Sequence, residues 1–407
     1  MRPSLAAVSV CSLLILSTPF ALAQGQVQAQ NPSAPLIQIG TPGHLYSDIL
    51  GEDRPYWIHL PEGYSVEDDA TYPVIYLLDG ESHLVGLASI QAYYNYFRLP
   101  EMIVVAISNA DNRTRDLTPT EVASRNGAPV DASGGADRFR SFLSAELIPH
   151  IDATYATSAH RVLMGHSYAG LFTIHTLLEE PGLFTNYVAL DPSLDWDDGR
   201  WLEQALPVLA SLPLSGHGLF VALSNEIIRF SDTLTFETVR TDTTDFSLGM
   251  RSAIAFVEAQ DRNSSGLSFS WKFYPDDIHG SVPLMGMRDA IVDLYDFWEL
   301  KKPSLYNDPE TPADTILALI RAQSQAREAG LGYPLPMERD LLEMLSFFYA
   351  DVGQPQKAKQ VLLLAAEYYP EAVSVHEALA EVCTAVSDEP CAREHAAKAD
   401  ALNRAGE

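Results

Sequence analysis

The feature that most constrains this chain is a six-residue turn, Gly165-His166-Ser167-Tyr168-Ala169-Gly170. It lies between an apolar run, Arg161–Met164 (RVLM), and a helix-like segment, Tyr168–Leu178. A strand that passes into a helix within one residue strains the backbone at its apex and leaves the serine hydroxyl standing clear. The residues two before and two after the serine must be small, or strand and helix cannot approach. Gly165 and Ala169 meet this condition, with alanine in place of the more usual glycine and Gly170 following at once. A turn of this kind needs a sheet behind it.

Residues 45–300 supply one. Apolar runs with strand character occur at Trp57–Leu60, Pro73–Leu78 (PVIYLL), Met102–Ile107 (MIVVAI), Arg161–Met164, Tyr187–Leu190, Leu219–Leu223 (LFVAL) and Phe269–Phe273 (FSWKF). Helical spacing marks Arg138–Ile148, Tyr168–Leu178, Trp201–Leu209 and Arg288–Glu299. Alternation of near-continuous apolar strands with helices predicts an α/β domain, its mostly parallel central sheet covered on both faces by helices. Two stretches lack periodicity: residues 108–135, rich in Asn, Asp, Arg, Thr, Gly and Pro, and residues 227–250, rich in Thr and Asp. Long loops of this kind are expected to wall a pocket.

A serine hydroxyl becomes a nucleophile only when a base takes its proton. On such an elbow the partners follow in the order serine, acid, histidine. Of 11 histidines, only His279, His376 and His395 lie beyond the later strands, and the last two fall in a separate helical tail. His279 is therefore the expected base. The acid is expected after the strand Leu219–Leu223, which makes Glu226 the first candidate; Asp232 and Asp191 remain alternatives. Two backbone amides should receive the oxyanion. One is that of Tyr168, and the other that of Glu81, in the loop after PVIYLL, where Gly80 permits a tight turn. Arg113 and Arg115 follow the strand MIVVAI. Either arginine could clamp a substrate carboxylate or phenolate, and Arg115, with Gly80, is taken as substrate-binding; an internal salt bridge, for instance of Arg115 with Asp116 or another loop acid, is the alternative.

At this point the residues resemble a known family. The pieces YPVIYLLDGE (Tyr72–Glu81), NRTRDLTPT (Asn112–Thr120), RVLMGHSYAGLF (Arg161–Phe172), DPSLDW (Asp191–Trp196) and IHGSVP (Ile278–Pro283) resemble, in order, the putative-esterase branch of the α/β-hydrolases. That branch includes siderophore (enterobactin-type) esterases, S-formylglutathione hydrolase and the antigen 85 mycolyltransferases. The RTRDLTPT and HGSVP pieces look closest to the siderophore-esterase side. The resemblance implies the α/β-hydrolase fold, Ser167 and His279 as catalytic residues, and the Glu81 and Tyr168 amides as oxyanion hole. The sequence holds no H-E-x-x-H run or paired cysteine-ligand motif, so no metal or cofactor is expected.

The ends of the chain carry other signals. Residues 1–23 read as a signal peptide: Arg2, an apolar run from Leu5 to Phe20, then Ala21-Leu22-Ala23. This predicts an exported protein, periplasmic or secreted, with no membrane attachment after cleavage. Residues 24–44 read as a flexible leader. A proline-rich linker, 301–314, leads to a helical domain, 315–407; Thr311, near the linker's end, is expected to cap the first helix, Pro312 to open it and Gly330 to end it. Leu345, Tyr349, Gly353, Ala358, Leu362, Ala365 and Pro370, followed 34 residues on by Leu379, Cys383, Ala392, Ala396 and Ala399, resemble about two tetratricopeptide repeats. Such a tail is a candidate surface for a protein partner. Cys383 and Cys391 either pair in an oxidising compartment or stay as packed thiols. A net charge of −28 repels phosphate backbones and argues against nucleic acid as a partner.

Together these features predict hydrolysis of a small-molecule carboxylic ester through an acyl-enzyme on Ser167. Acyl transfer with the same residues, or a binding role for the tail beside a dormant hydrolase domain, are the alternatives.

Overall fold

The computed structural model describes residues 39–64, 70–95, 98–125 and 127–405. The predicted signal peptide and most of the predicted leader lie outside them. Eight strands form one sheet: β1 (Thr41–Ser47), β2 (Glu52–His59), β3 (Tyr72–Leu77), β4 (Ile103–Ile107), β5 (Thr157–His166), β6 (Asn186–Leu190), β7 (Gly218–Ser224) and β8 (Ser268–Tyr274). Their order is β1-β2-β4-β3-β5-β6-β7-β8. β1 pairs antiparallel with β2, and β2 antiparallel with β4. Every later pair is parallel.

Alternate residues of each central strand feed opposite layers, as the two-residue period of a strand requires. Val74, Tyr76 and Leu78 join one core with Phe139, Phe172 and Trp196. Ile75 and Leu77 join the other with Leu84, Leu87, Met287 and Ile291. Every residue of β3, β4, β6 and β7 is buried, which explains why their sequences read as unbroken apolar runs. The outer strand β8 is only partly covered. Parallel strands direct their C-terminal ends to one edge, where ligands bind in folds of this type. Asp79, Ser167, Asp191, Glu226 and His279 all lie just beyond those ends.

Several expectations need correction. The leader ends early, because Thr41–His44 already pairs with Pro55–Ile58 in β1. The predicted helix Arg138–Ile148 runs from Ala136 to Thr154 through one π turn. The segment 108–135 holds a short helix, Arg113–Leu117, and a two-residue ribbon. The segment 227–250 leads into an unpredicted helix, Leu248–Asp261. In the tail, the first helix is Ala313–Leu331, with Pro312 rather than Thr311 at the cap. Its stop is Gly332, whose φ of 82° suits glycine alone, while Gly330 lies inside the helix against Phe297.

Four more helices complete the tail: Arg339–Asp351, Pro355–Tyr368, Val373–Ala385 and Glu389–Ala405. Leu345, Tyr349, Ala358, Leu362, Ala365, Leu379, Cys383, Ala392 and Ala399 are buried, whereas Ala396 is exposed. A Cys383–Cys391 disulfide ties the last two helices together. The predicted linker is itself packed. Pro303–Tyr306 is a helical turn, and the buried Tyr306 carbonyl accepts a hydrogen bond of 2.8 Å from the Tyr349 hydroxyl.

The tail is also joined to the sheet. Leu331 is buried in the same core as Ile291, Tyr295 and Trp298. Gln323 donates to the carbonyls of Phe297 and Trp298, and the Arg327 guanidinium lies 4.0 Å from the Trp298 ring centre. Truncating a buried leucine forfeits its transfer energy and leaves a cavity. Leu331→Ala is therefore expected to cost about 2–4 kcal/mol. In chemical denaturation the sheet domain and tail should lose stability together. A tail that melts separately, with the sheet unaffected, would contradict this coupling.

Candidate active site

Ser167 occupies the apex between β5 and the helix Tyr168–Glu179, with φ of 62°. This positive-φ conformation is costly for a residue with a side chain and persists only where its surroundings impose it. They do so here. A Cβ on Gly165 would lie 2.4 Å from the Ala169 carbonyl oxygen, and one on Gly170 would lie 3.0 Å from the Pro192 Cα. The alanine that replaces glycine at position 169 fits because Gly165 faces it.

The Ser167 hydroxyl is 3.0 Å from His279 Nε2. The opposite ring nitrogen, Nδ1, is 2.6 Å from Asp191 Oδ2. Asp191, at the end of β6, has φ of 44° and accepts two more hydrogen bonds, from the Ser224 amide and the Ser224 hydroxyl. Burial pushes the Asp191 carboxyl up, but the hydrogen bond and charge of His279 and the two bonds from Ser224 outweigh it, and the group is held below its ordinary value. For His279, burial again opposes the charged form. The Asp191 carboxylate, with a smaller contribution from Glu226, raises the imidazole above 6.5 nonetheless. A carboxylate on Nδ1 fixes the tautomer that leaves Nε2 free to take a proton from serine.

The acid expected from chain order is thus corrected. Glu226 does follow β7, but its Oε2 accepts from the backbone amide of His279 at 2.8 Å rather than from the ring. Its other oxygen pairs with Arg229. Asp232 is exposed. Asp191, the third candidate, reaches the ring because its strained backbone turns the carboxyl inward and Ser224 holds it there.

Arg115 is also corrected. It pairs with Glu52 and Asp116 in a cluster that includes the buried Arg54, and so serves the salt-bridge alternative rather than a substrate clamp. Arg113 points to the site instead. It holds Asp79 through a two-pronged contact, donates to the His166 carbonyl at 3.1 Å, and lies 5.2 Å from the Tyr168 ring centre. Gly80 opens the helix Gly80–Tyr94, and any side chain on it would strike the Ala106 backbone at 2.6 Å. Glu81 follows in the first turn, and Tyr168 is the first residue of its own helix. Amides at these positions have no partner within their helices.

Two features escaped sequence reasoning. Ser193 places its hydroxyl 3.2 Å from that of Ser167. His166 donates from Nε2 to the His279 carbonyl at 2.8 Å, and its ring lies 4.5 Å from the His279 ring. Burial, reinforced by His279 and His83, pushes His166 down to about 3, so it is neutral across the working range of pH. Its position between Gly165 and Ser167 is one that any residue can fill, so the motif carried no sign of this role.

Ser167 and His279 open into a cleft of about 1480 Å³. Tyr168 and Trp196 line it, with Arg125 lying 5.2 Å from both rings and paired to Asp195. Phe230 and Phe246 stand exposed at the cleft, their ring centres 6.1 Å apart. Both come from the segment 227–250, and Arg125 from 108–135, so the two aperiodic stretches do wall the cleft.

A strained serine presented on a sheet of this order is the arrangement of the α/β-hydrolase fold. Residues 47–213 match the family model described as Putative esterase. Among curated proteins it is 32% identical over 164 residues to the ferri-bacillibactin esterase BesA of Bacillus subtilis, covering 36% of this chain and 56% of that protein. It is also 32% identical over 176 residues to the siderophore triacetylfusarinine C esterase of Aspergillus fumigatus, covering 38% of this chain and 58% of that protein. The matches thus span little more than half the length of these relatives. An IroE-like serine hydrolase from Shewanella oneidensis has a solved structure that superposes with a TM-score of 0.66 at 27% identity, covering 81% of this chain and 99% of that one. Residues 1–300 are only about three quarters of the chain, so that likeness extends into the helical tail.

Proposed function

We propose that this protein hydrolyses carboxylic esters through an acyl-enzyme on Ser167, and that its substrates are ester-linked siderophores. The observation that carries the reading is the 3.0 Å contact between Ser167 Oγ and His279 Nε2, with Asp191 behind the ring. His279 takes the hydroxyl proton as Oγ attacks the ester carbonyl. The oxyanion that forms is received by the amides of Tyr168 and Glu81. Collapse breaks the C–O bond, and the proton on Nε2 passes to the departing alcohol. A water then loses its proton to His279 as it attacks the acyl carbonyl, and the acid and free Ser167 are regenerated.

The substrate class is supported by relatives such as the siderophore triacetylfusarinine C esterase. The cleft volume suits a bulky ester more than a small one. Export is supported by the N-terminal sequence and by the disulfide, which persists in oxidising compartments. The burial of Leu331 in the sheet's core favours the tail as part of the enzyme's body over a separate working module with a dormant hydrolase.

Purified protein should release free acid from siderophores with ester backbones, read by chromatography, and from simple nitrophenyl esters more slowly. Activity on neither, with Ser167 unlabelled by a fluorophosphonate, would reject the esterase reading. The same assay tests pH dependence. Only neutral His279 can act as base, and Asp191 raises its ordinary value of 6.5. The acid limb of kcat/KM should have its midpoint above 6.5, falling about tenfold per pH unit below it.

A further inference from the structure

We propose that Glu226 and His166 form a two-sided clamp on the main chain of His279, and that these positioning residues hold the base over Ser167. The inference rests on the esterase reading and extends it to residues with no place in the reaction sequence above.

The need for a clamp follows from where His279 sits. It lies five residues beyond β8, the half-covered outer strand, on a loop without regular structure. Such loops are the mobile parts of a fold unless their backbone groups are tied. Here they are tied from two directions. The His279 amide donates to Glu226 Oε2 at 2.8 Å, and the His279 carbonyl accepts from His166 Nε2 at 2.8 Å. Glu226 lies two residues beyond the end of β7, and His166 is the last residue of β5. The peptide groups on both sides of the catalytic Cα are therefore fixed to the sheet that carries Ser167. Asn225 adds to the hold, its amide donating to the Asp277 carbonyl and its side chain to that of Pro275.

The two halves of the clamp differ in charge. Glu226 is an anion near the imidazole and favours its protonated form, as Asp191 does; Arg113 opposes them. His166 is held neutral by burial, so it contributes a donor without a charge. Its Nε2 faces a carbonyl, which only accepts, so the proton resides on that nitrogen. The halves are thus separable by experiment.

The test uses the full chain with Glu226→Gln, Glu226→Ala and His166→Phe, each checked for folding by circular dichroism. Glutamine keeps an acceptor for the His279 amide but removes the charge. Glu226→Gln should lower the plateau of kcat/KM on a nitrophenyl ester by less than about fivefold, and move the acid limb to lower pH. Glu226→Ala also loses the acceptor. Its kcat should fall about ten- to a hundredfold with KM within twofold, because small misplacement of a catalytic group is expensive. His166→Phe keeps a ring against His279 and loses the donor. Its kcat should fall like that of Glu226→Ala while the acid limb stays where it is. Proton NMR titration of the His279 ring reads the charge effect without turnover, and should follow the same shift in Glu226→Gln.

Variants that match the wild type in both rate and profile would overturn the clamp. So would an unshifted imidazole titration in Glu226→Gln, even if the protein proved inactive on every ester. A collapse of Glu226→Gln to the level expected for loss of the triad acid would also overturn it, by making Glu226 the acid itself.

Discussion

Ser167→Ala is expected to abolish ester hydrolysis, lowering kcat by about 10⁴-fold or more. It should also remove all labelling by fluorophosphonate reagents. The argument is specific to this hydroxyl. Ser193 Oγ lies only 3.2 Å away, but the imidazole that would activate a nucleophile is bonded to Ser167. Residual labelling that moved to Ser193 in the variant would show that the base serves both hydroxyls. The same position carries a stability prediction. Its φ of 62° is paid for by the packing of Gly165 against Ala169. Ser167→Gly should relieve that strain and raise stability by about 1 kcal/mol relative to Ser167→Ala, as measured by thermal denaturation. Function at this residue is thus gained at the expense of the fold.

The legible part of the site is the part written locally in the chain. The elbow needs a small residue on each side of a short turn, and Gly165 and Ala169 show it directly. His279 was reached by elimination along the chain. The acid was not legible, because two carboxylates follow adjacent parallel strands and only three-dimensional placement separates them. Asp191 and Glu226 both approach His279, one at the ring and one at the backbone, and the difference lies in a φ of 44° and in Ser224. Backbone strain of that kind leaves little trace in sequence at a residue other than glycine. Arg115 failed for a related reason: an arginine in a loop can turn toward a pocket or toward Glu52, and Arg54 and Asp116 decide it from elsewhere in the chain. β1 was missed because Thr41–Ser47 has mostly exposed residues and no apolar run. Its strand character comes from pairing with β2, and a distant partner cannot be read from a window of seven residues. The central strands stood out for the opposite reason, since burial on both faces forces an unbroken apolar sequence.

Asp191→Asn separates the two carboxylates most sharply. Asparagine keeps the volume and can still face Ser224, so the fold should survive. It removes the charge that stabilises protonated His279, and its amide can present a donor to Nδ1. The imidazole would then be pushed toward the tautomer with its proton on Nε2, which cannot take one from Ser167. The expected result is a fall in kcat of about 10³–10⁴-fold with KM little changed. Whatever activity remains should have its acid limb at lower pH, because loss of the anion lowers the pKa that Asp191 had raised. Glu226→Gln should shift the limb in the same direction at far smaller cost in rate, because its contact is with the main chain and not the ring. Were Asp191→Asn to retain more than a tenth of wild-type activity, the base would be working without a carboxylate on Nδ1. The weight of catalysis would then rest on the Ser167–His279 pair alone.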